Sequence, residues 1–121
     1  MNSVSRALIR LLVPCVASAQ LAHADTIDET PRTVLDVRVY QNGDLVIRIA
    51  PATTATCQYP DTLELSATSP AYNLASRLAL TAYTSRGQIP ILFLWNNSCI
   101  SGAPDENVQI TGLALFPWRG Y

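Results

Sequence analysis

The chain has 121 residues, with eight cationic side chains against nine acidic ones, one histidine, 49% hydrophobic residues and only 14% charged ones. Every one of the cations is an arginine. Such a chain is too apolar to be intrinsically disordered and too short for two independent cores, which leaves one domain at most.

Residues 1–24 read as a secretory signal. Arg6 and Arg10 form a positive n-region, Leu11 to Ala17 opens a short apolar stretch, and Ala22-His23-Ala24 has the small-residue pattern of a cleavage site. An uncleaved anchor is the weaker reading. Pro14 and Gln20 interrupt a run already shorter than the roughly 20 apolar residues a span requires. Cleavage would leave Asp25 first and place the protein in the periplasm or outside the cell. The remaining 97 residues keep six arginines and nine acids, a formal charge of −3, and lose His23 and Cys15. Cys57 and Cys99 are then the two cysteines left, and in an oxidising compartment they are expected to form one disulfide. A metal site or a catalytic thiol is the weaker alternative, since the exported chain offers no partner histidine.

Residues 25–32 are polar and aperiodic and read as a mobile N-terminal arm. The domain proper is expected over 33–121. From Thr33 to Tyr40 the chain alternates, with Leu35, Val37 and Val39 on one parity and Asp36 and Arg38 on the other. The alternation resumes after Gln41-Asn42-Gly43-Asp44 with Leu45, Ile47 and Ile49. A two-residue turn would put the two apolar sets on opposite faces. A three-residue loop, Gln41-Asn42-Gly43 with Gly43 left-handed, pairs Val39 with Leu45, Val37 with Ile47 and Leu35 with Ile49, and sets Asp36 opposite Arg48.

Residues 51–61 are loop-like, and Thr62 to Ala67 reads as a third strand with Leu63 and Leu65 inward. Ser69-Pro70 has the chemistry of a helix start, serine as N-cap and proline at the first helical position. Helical spacing follows from Ala71 to Ser85, with Ala71, Ala75, Leu78 and Ala82 as the apolar stripe, Leu74 at its flank, and Gly87 as a stop. Leu80 falls on the polar face with Asn73, Arg77, Thr81 and Thr84. Ile89 to Trp95 is a strand buried on both faces, closed by the turn chemistry of Asn96 to Cys99. Val108 to Phe116 is the last strand, and its apolar parity switches at Gly112, as a bulge would require. The order β-β-β-α-β-β is that of a mainly β, five-stranded OB-fold-like barrel with one helix and one disulfide.

The helix and the strand after it carry a resemblance. Ser69-Pro70-Ala71-Tyr72, Leu78, Ala82-Tyr83-Thr84-Ser85 and Gly87-Gln88-Ile89 resemble the corresponding segment of the subtilase-cytotoxin B subunit, in the pertussis-like group of AB5-toxin B subunits. The resemblance covers about a third of the exported chain. It implies a secreted OB-fold, commonly a ring of five, that binds cell-surface glycans. The family's sugar-binding residues have no matching positions here. In such a ring the face bearing Arg77, Leu80 and Thr84 is a candidate interface, where burying one leucine contributes roughly 1.5–3 kcal/mol per subunit.

The residues favour no catalytic reading. Asp28-Glu29 and Asp105-Glu106 are the adjacent carboxylates, and neither lies in an evident apolar pocket that would retune it. G-x-S-x-G, glycine-rich phosphate loops and metal-ligand spacing are all absent from the sequence, so neither cofactor nor metal is expected. Nucleic acid needs a basic groove, which a charge of −3 does not supply. The aromatics are the remaining signal. Tyr40 and Trp95 stand at strand ends, and Trp95 with Asn96 and Asn97 has the composition of a sugar platform, a ring for the apolar face and amides for the hydroxyls. The expected function is a non-enzymatic secreted or periplasmic binding module for glycans or a cell surface, for which the resemblance implies a pentamer. The alternative is a monomeric periplasmic interaction or inhibitor protein acting on an envelope partner.

Overall fold

The structure is a computed structural model, and it describes residues 25–100 and 106–117. Residues 1–24, expected as a signal, and the tail aromatics Trp118 and Tyr121 lie outside the described residues. Five strands, β1 (Thr26–Val39), β2 (Leu45–Ala50), β3 (Tyr59–Leu65), β4 (Ile91–Cys99) and β5 (Asn107–Leu115), close into a barrel in the order β1-β2-β3-β5-β4. One helix, α1 (Tyr72–Thr84), links β3 to β4. This is the OB-fold-like architecture expected from the element order. No helix among the described residues is long and apolar enough to cross a membrane.

The interior is filled by the inward parity of each strand. Leu45, Ile47, Ile49, Leu63, Leu65, Ile91, Phe93, Val108 and Ile110 are all essentially inaccessible. Helix α1 packs on this core through Ala75, Ala79 and Ala82, side chains short enough for close approach to the sheet. Leu74, expected at the flank of the stripe, is instead exposed, and Ala79 takes part in the buried face. The helix also starts later than Ser69-Pro70 suggests. Its N-cap is Ala71 without a side-chain cap, and the Ser69 hydroxyl accepts from the Ala71 N–H at 3.2 Å in a local turn before it.

The β1–β2 hairpin has the three-residue loop. Gly43 adopts φ 93°, Tyr40 N–H donates to the Asp44 carbonyl at 2.9 Å, and Val39 faces Leu45 as Val37 faces Ile47. One expected pair fails. A bulge between Val34 and Asp36 puts Val34, not Leu35, opposite Ile49. Val34 is buried at 4% exposure while Leu35 is turned outward at 44%. The bulge reverses parity within one strand, so strict alternation from Thr33 assigns the wrong residue to the core.

The reason β1 bends there is visible in its first half. Of residues 25–32, expected as an arm, Thr26 to Arg32 are strand. They form the start of β1, pairing Thr26 with Trp95, Ile27 with Leu94, Asp28 with Phe93 and Arg32 with Ile91. The polar sequence hides this because a buried arginine anchors it. Arg32 is 3% exposed and lies over the Phe93 ring at 5.7 Å. Its Nη1 donates to the Pro51 and Ala52 carbonyls at 2.7 Å each, and its Nη2 contacts Asp28 at 3.1 Å. A buried charge is tolerated only with such partners, and these bind β1 to the loop after β2.

Strand β4 runs on through Asn96 to Cys99 rather than closing in a turn, with irregular pairing to β5. The expected bulge in β5 is present. Leu94 pairs with Gly112 and Trp95 with Ile110, leaving Thr111 unmatched. A Cβ on Gly112 would meet Leu94 Cδ1 at 2.7 Å, so glycine permits this close approach. Cys57 and Cys99 form a disulfide with Cα atoms 5.7 Å apart, fastening the 51–58 loop to the end of β4.

Candidate ligand cleft

The outward parity of three adjacent strands builds a polar depression on the barrel. Asp36, Arg48 and Thr62 are register partners in one row across β1, β2 and β3. Arg38, Val46, Glu64 and Gln109 form the next row, which reaches β5. Asp36, Arg38, Tyr40, Val46, Arg48, Tyr59, Thr62 and Asn107 line a cleft of about 240 Å³ between these rows. It is open to solvent, and its volume suits a single sugar ring or a group of that size.

Its floor is fixed by buried polar groups. Glu64 and Asn107 are 2% and 1% exposed. The Asn107 amide Nδ2 donates to Glu64 Oε1 at 2.9 Å and lies 3.4 Å from the Tyr40 hydroxyl. Asp44 joins the same network from the hairpin loop. Its carboxyl is held below the ordinary carboxylate value, first by the hydrogen bond with the Glu64 carboxyl. The Ala67 N–H at 2.8 Å and the Asn42 amide at 3.2 Å act in the same direction, and partial burial opposes them. Buried networks with every member satisfied rigidify the groups around them, here Tyr40 and Asn107.

The two guanidinium groups differ. Arg38 is paired along its own strand with Asp36, Nε to Oδ2 at 3.0 Å, and that carboxylate raises the Arg38 pKa by hydrogen bonding and charge. The sequence-derived pairing of Asp36 with Arg48 holds as strand register, but the ion pair goes to Arg38. Arg48 is exposed, and among the described residues no carboxylate forms an ion pair with it. The cleft therefore presents the Arg38–Asp36 pair and the Arg48 guanidinium above a floor that holds the Glu64 carboxyl.

The residues expected to bind ligand are not brought together. Tyr40 lines the cleft. Trp95 is not a platform, because its ring packs in the core edge-on to Phe93, centroids 5.6 Å apart. Asn96 and Asn97 are exposed on β4, with Asn97 at φ 59° and the Ser98 hydroxyl donating to Asn96 Oδ1, and they are not among the cleft's lining residues. Sequence reasoning missed Arg38, Arg48, Tyr59, Thr62 and Asn107. The outward parity of the hairpin pointed to the first two, whereas Tyr59 and Asn107 come together only through the parallel β3–β5 pairing.

On α1, Leu80 and Leu74 are exposed at 55% and 62%, on a helix that also displays Arg77 and Thr84. The Thr81 hydroxyl donates to the Arg77 carbonyl at 2.9 Å and the Thr84 hydroxyl to the Leu80 carbonyl at 3.0 Å. With the hydroxyls turned to the backbone, this face is less polar than its composition.

No protein-family model matches the chain, and no curated protein matches it significantly.

Proposed function

We propose that the protein is an exported, non-enzymatic binding module whose ligand is a glycan on a cell surface, held in the cleft on the outer face of β1, β2 and β3. The observation that carries this reading is Arg48, a guanidinium without an ion-pair partner among the described residues, set in a cleft with two tyrosines and a fixed asparagine amide. Such a lining offers ring faces for the apolar side of a sugar and directed donors for its hydroxyl or acidic groups. The exposed Arg48 guanidinium favours an acidic sugar over a neutral one. The toxin-B-subunit resemblance supports the same class of ligand.

Single-site glycan binding is weak, and repetition in an oligomer raises it through effective concentration. The exposed Leu74 and Leu80 on α1 are the surface we assign to association, with a pentamer as the expected state. Two measurements test the reading. Titration calorimetry with acidic and neutral oligosaccharides should show binding that Arg48→Ala weakens at least about tenfold while the fold is unchanged. Light scattering should show an oligomer that Leu80→Arg converts to smaller species. Equal binding by Arg48→Ala sinks the cleft assignment, and a monomer before mutation sinks the ring.

A further inference from the structure

The disulfide has a carboxylate beside it. Glu106 precedes β5, where its carbonyl accepts from the Tyr59 N–H at 3.1 Å and its Oε1 from the Gln58 N–H at 3.3 Å. Both contacts lie next to Cys57 in the chain. The Cys57 and Cys99 sulfurs and the Glu106 carboxylate lie within 4.8 Å of one another. Positions 57, 99 and 106 have no metal-motif spacing, so it is barrel closure that gathers them.

We propose that reduction of this disulfide converts Cys57, Cys99 and Glu106 into a site for a thiophilic divalent cation, zinc in the first instance. A dithiol reductant transfers two electrons and two protons. The Sγ–Sγ bond breaks, two thiols form, and the reductant becomes its own disulfide. Binding of Zn²⁺ then releases both thiol protons to solvent and forms two Zn–S bonds of about 2.3 Å, with the carboxylate oxygen at about 2.0–2.2 Å. Two sulfurs on one tetrahedral ion stand about 3.8 Å apart. Side-chain rotation reaches that separation from Cα atoms 5.7 Å apart. A water completes the coordination, and thiolate donors select zinc or cadmium over magnesium or calcium.

The ion and the disulfide exclude each other, and both fasten the 51–58 loop to the end of β4. In a reducing medium the metal would replace the covalent link, and thiolates held by zinc are shielded from further oxidation. Glu106, Cys57 and Cys99 do not line the glycan cleft, although Glu106 adjoins its Tyr59 and Asn107, and the metal proposal does not rest on the glycan reading.

The test uses the protein reduced with dithiothreitol, desalted under argon and titrated with Co²⁺ and then Zn²⁺. The expected result is one Co²⁺ per chain with thiolate-to-cobalt charge-transfer absorption, displaced by Zn²⁺ and absent from the oxidised protein. Glu106→Gln should weaken zinc at least about tenfold, and zinc should raise the melting temperature of the reduced protein but not of the Cys57→Ser/Cys99→Ser variant. If reduction unfolds the chain, zinc must restore the β circular-dichroism signal. No charge-transfer band, zinc affinity equal to that of the double-serine variant, no loss in Glu106→Gln, or no refolding by zinc would each overturn the proposal.

Discussion

The bulge in β1 makes a sharp prediction, because two adjacent aliphatic side chains exchange the roles that alternation gives them. Val34 is 4% exposed and faces Ile49, whereas Leu35 is 44% exposed. Val34→Ala removes two buried methyl groups at roughly 0.8 kcal/mol each and leaves a cavity, a loss of about 2–2.5 kcal/mol. Leu35→Ala removes more carbon, but from a side chain half in water and with no cavity, for a loss of about 1 kcal/mol or less. Urea unfolding followed by tryptophan fluorescence measures both. With a slope of about 1 kcal/mol per molar urea for a chain of this size, Val34→Ala should lower the midpoint by about 2 M and Leu35→Ala by under about 1 M. Leu35→Asp should still fold, because its carboxylate reaches solvent, whereas Val34→Asp places a charge in the core. A larger loss for Leu35→Ala than for Val34→Ala would refute the bulge and restore unbroken alternation.

Three further outcomes follow from the same structure. Cys57→Ser with Cys99→Ser, tested in the oxidised state, opens a loop of 42 residues and should cost about 4 kcal/mol by loop entropy, read as a lower urea midpoint; an unchanged midpoint would show that the loop is held by other contacts. Gly43→Ala forces a left-handed side chain whose Cβ stands 3.2 Å from Ala67 Cβ, and should cost about 1–2 kcal/mol in the same assay. Asp44 has a depressed pKa in the folded state, so its contribution is complete above the unfolded value of about 3.9 and disappears as pH falls through the folded value. The stability gap between the protein and Asp44→Asn should therefore narrow below about pH 4, and a gap constant from neutral to strongly acidic pH would contradict that linkage.

Much of the barrel was legible in the sequence. The hairpin loop followed from the parity of Val37, Val39, Leu45 and Ile47, and the disulfide from the two cysteines that an exported chain would keep. The bulge at Gly112 followed from a switch in parity. Each of these is set by local pattern or by counting. What escaped depends on contacts distant in sequence. The polar stretch before Thr33 becomes a strand because Arg32 finds carbonyls at Pro51 and Ala52. Trp95 sits beside two amides in the chain yet packs into the core, since β4 continues past it. The cleft's far wall, Tyr59 and Asn107, depends on a parallel pairing of β3 with β5 that periodicity does not encode.

The strand formed by the first described residues gives the barrel a single late seam. Thr26 pairs with Trp95, the pairing most distant in sequence among the described strands, so this join cannot form before β4 has been made. Cleavage after Ala24 would make it the join that peels from a chain end, because the chain need only release residues 26–32 to open the cylinder. Opening would bare the edge of β4, apolar throughout from Ile91 to Trp95, as a template for the same segment of another copy. Exchange of this first strand between neighbours is thus the route by which the fold would misassemble. A fusion or tag that burdens the start of β1 would favour it, and one attached at the hairpin tip around Asn42 would not.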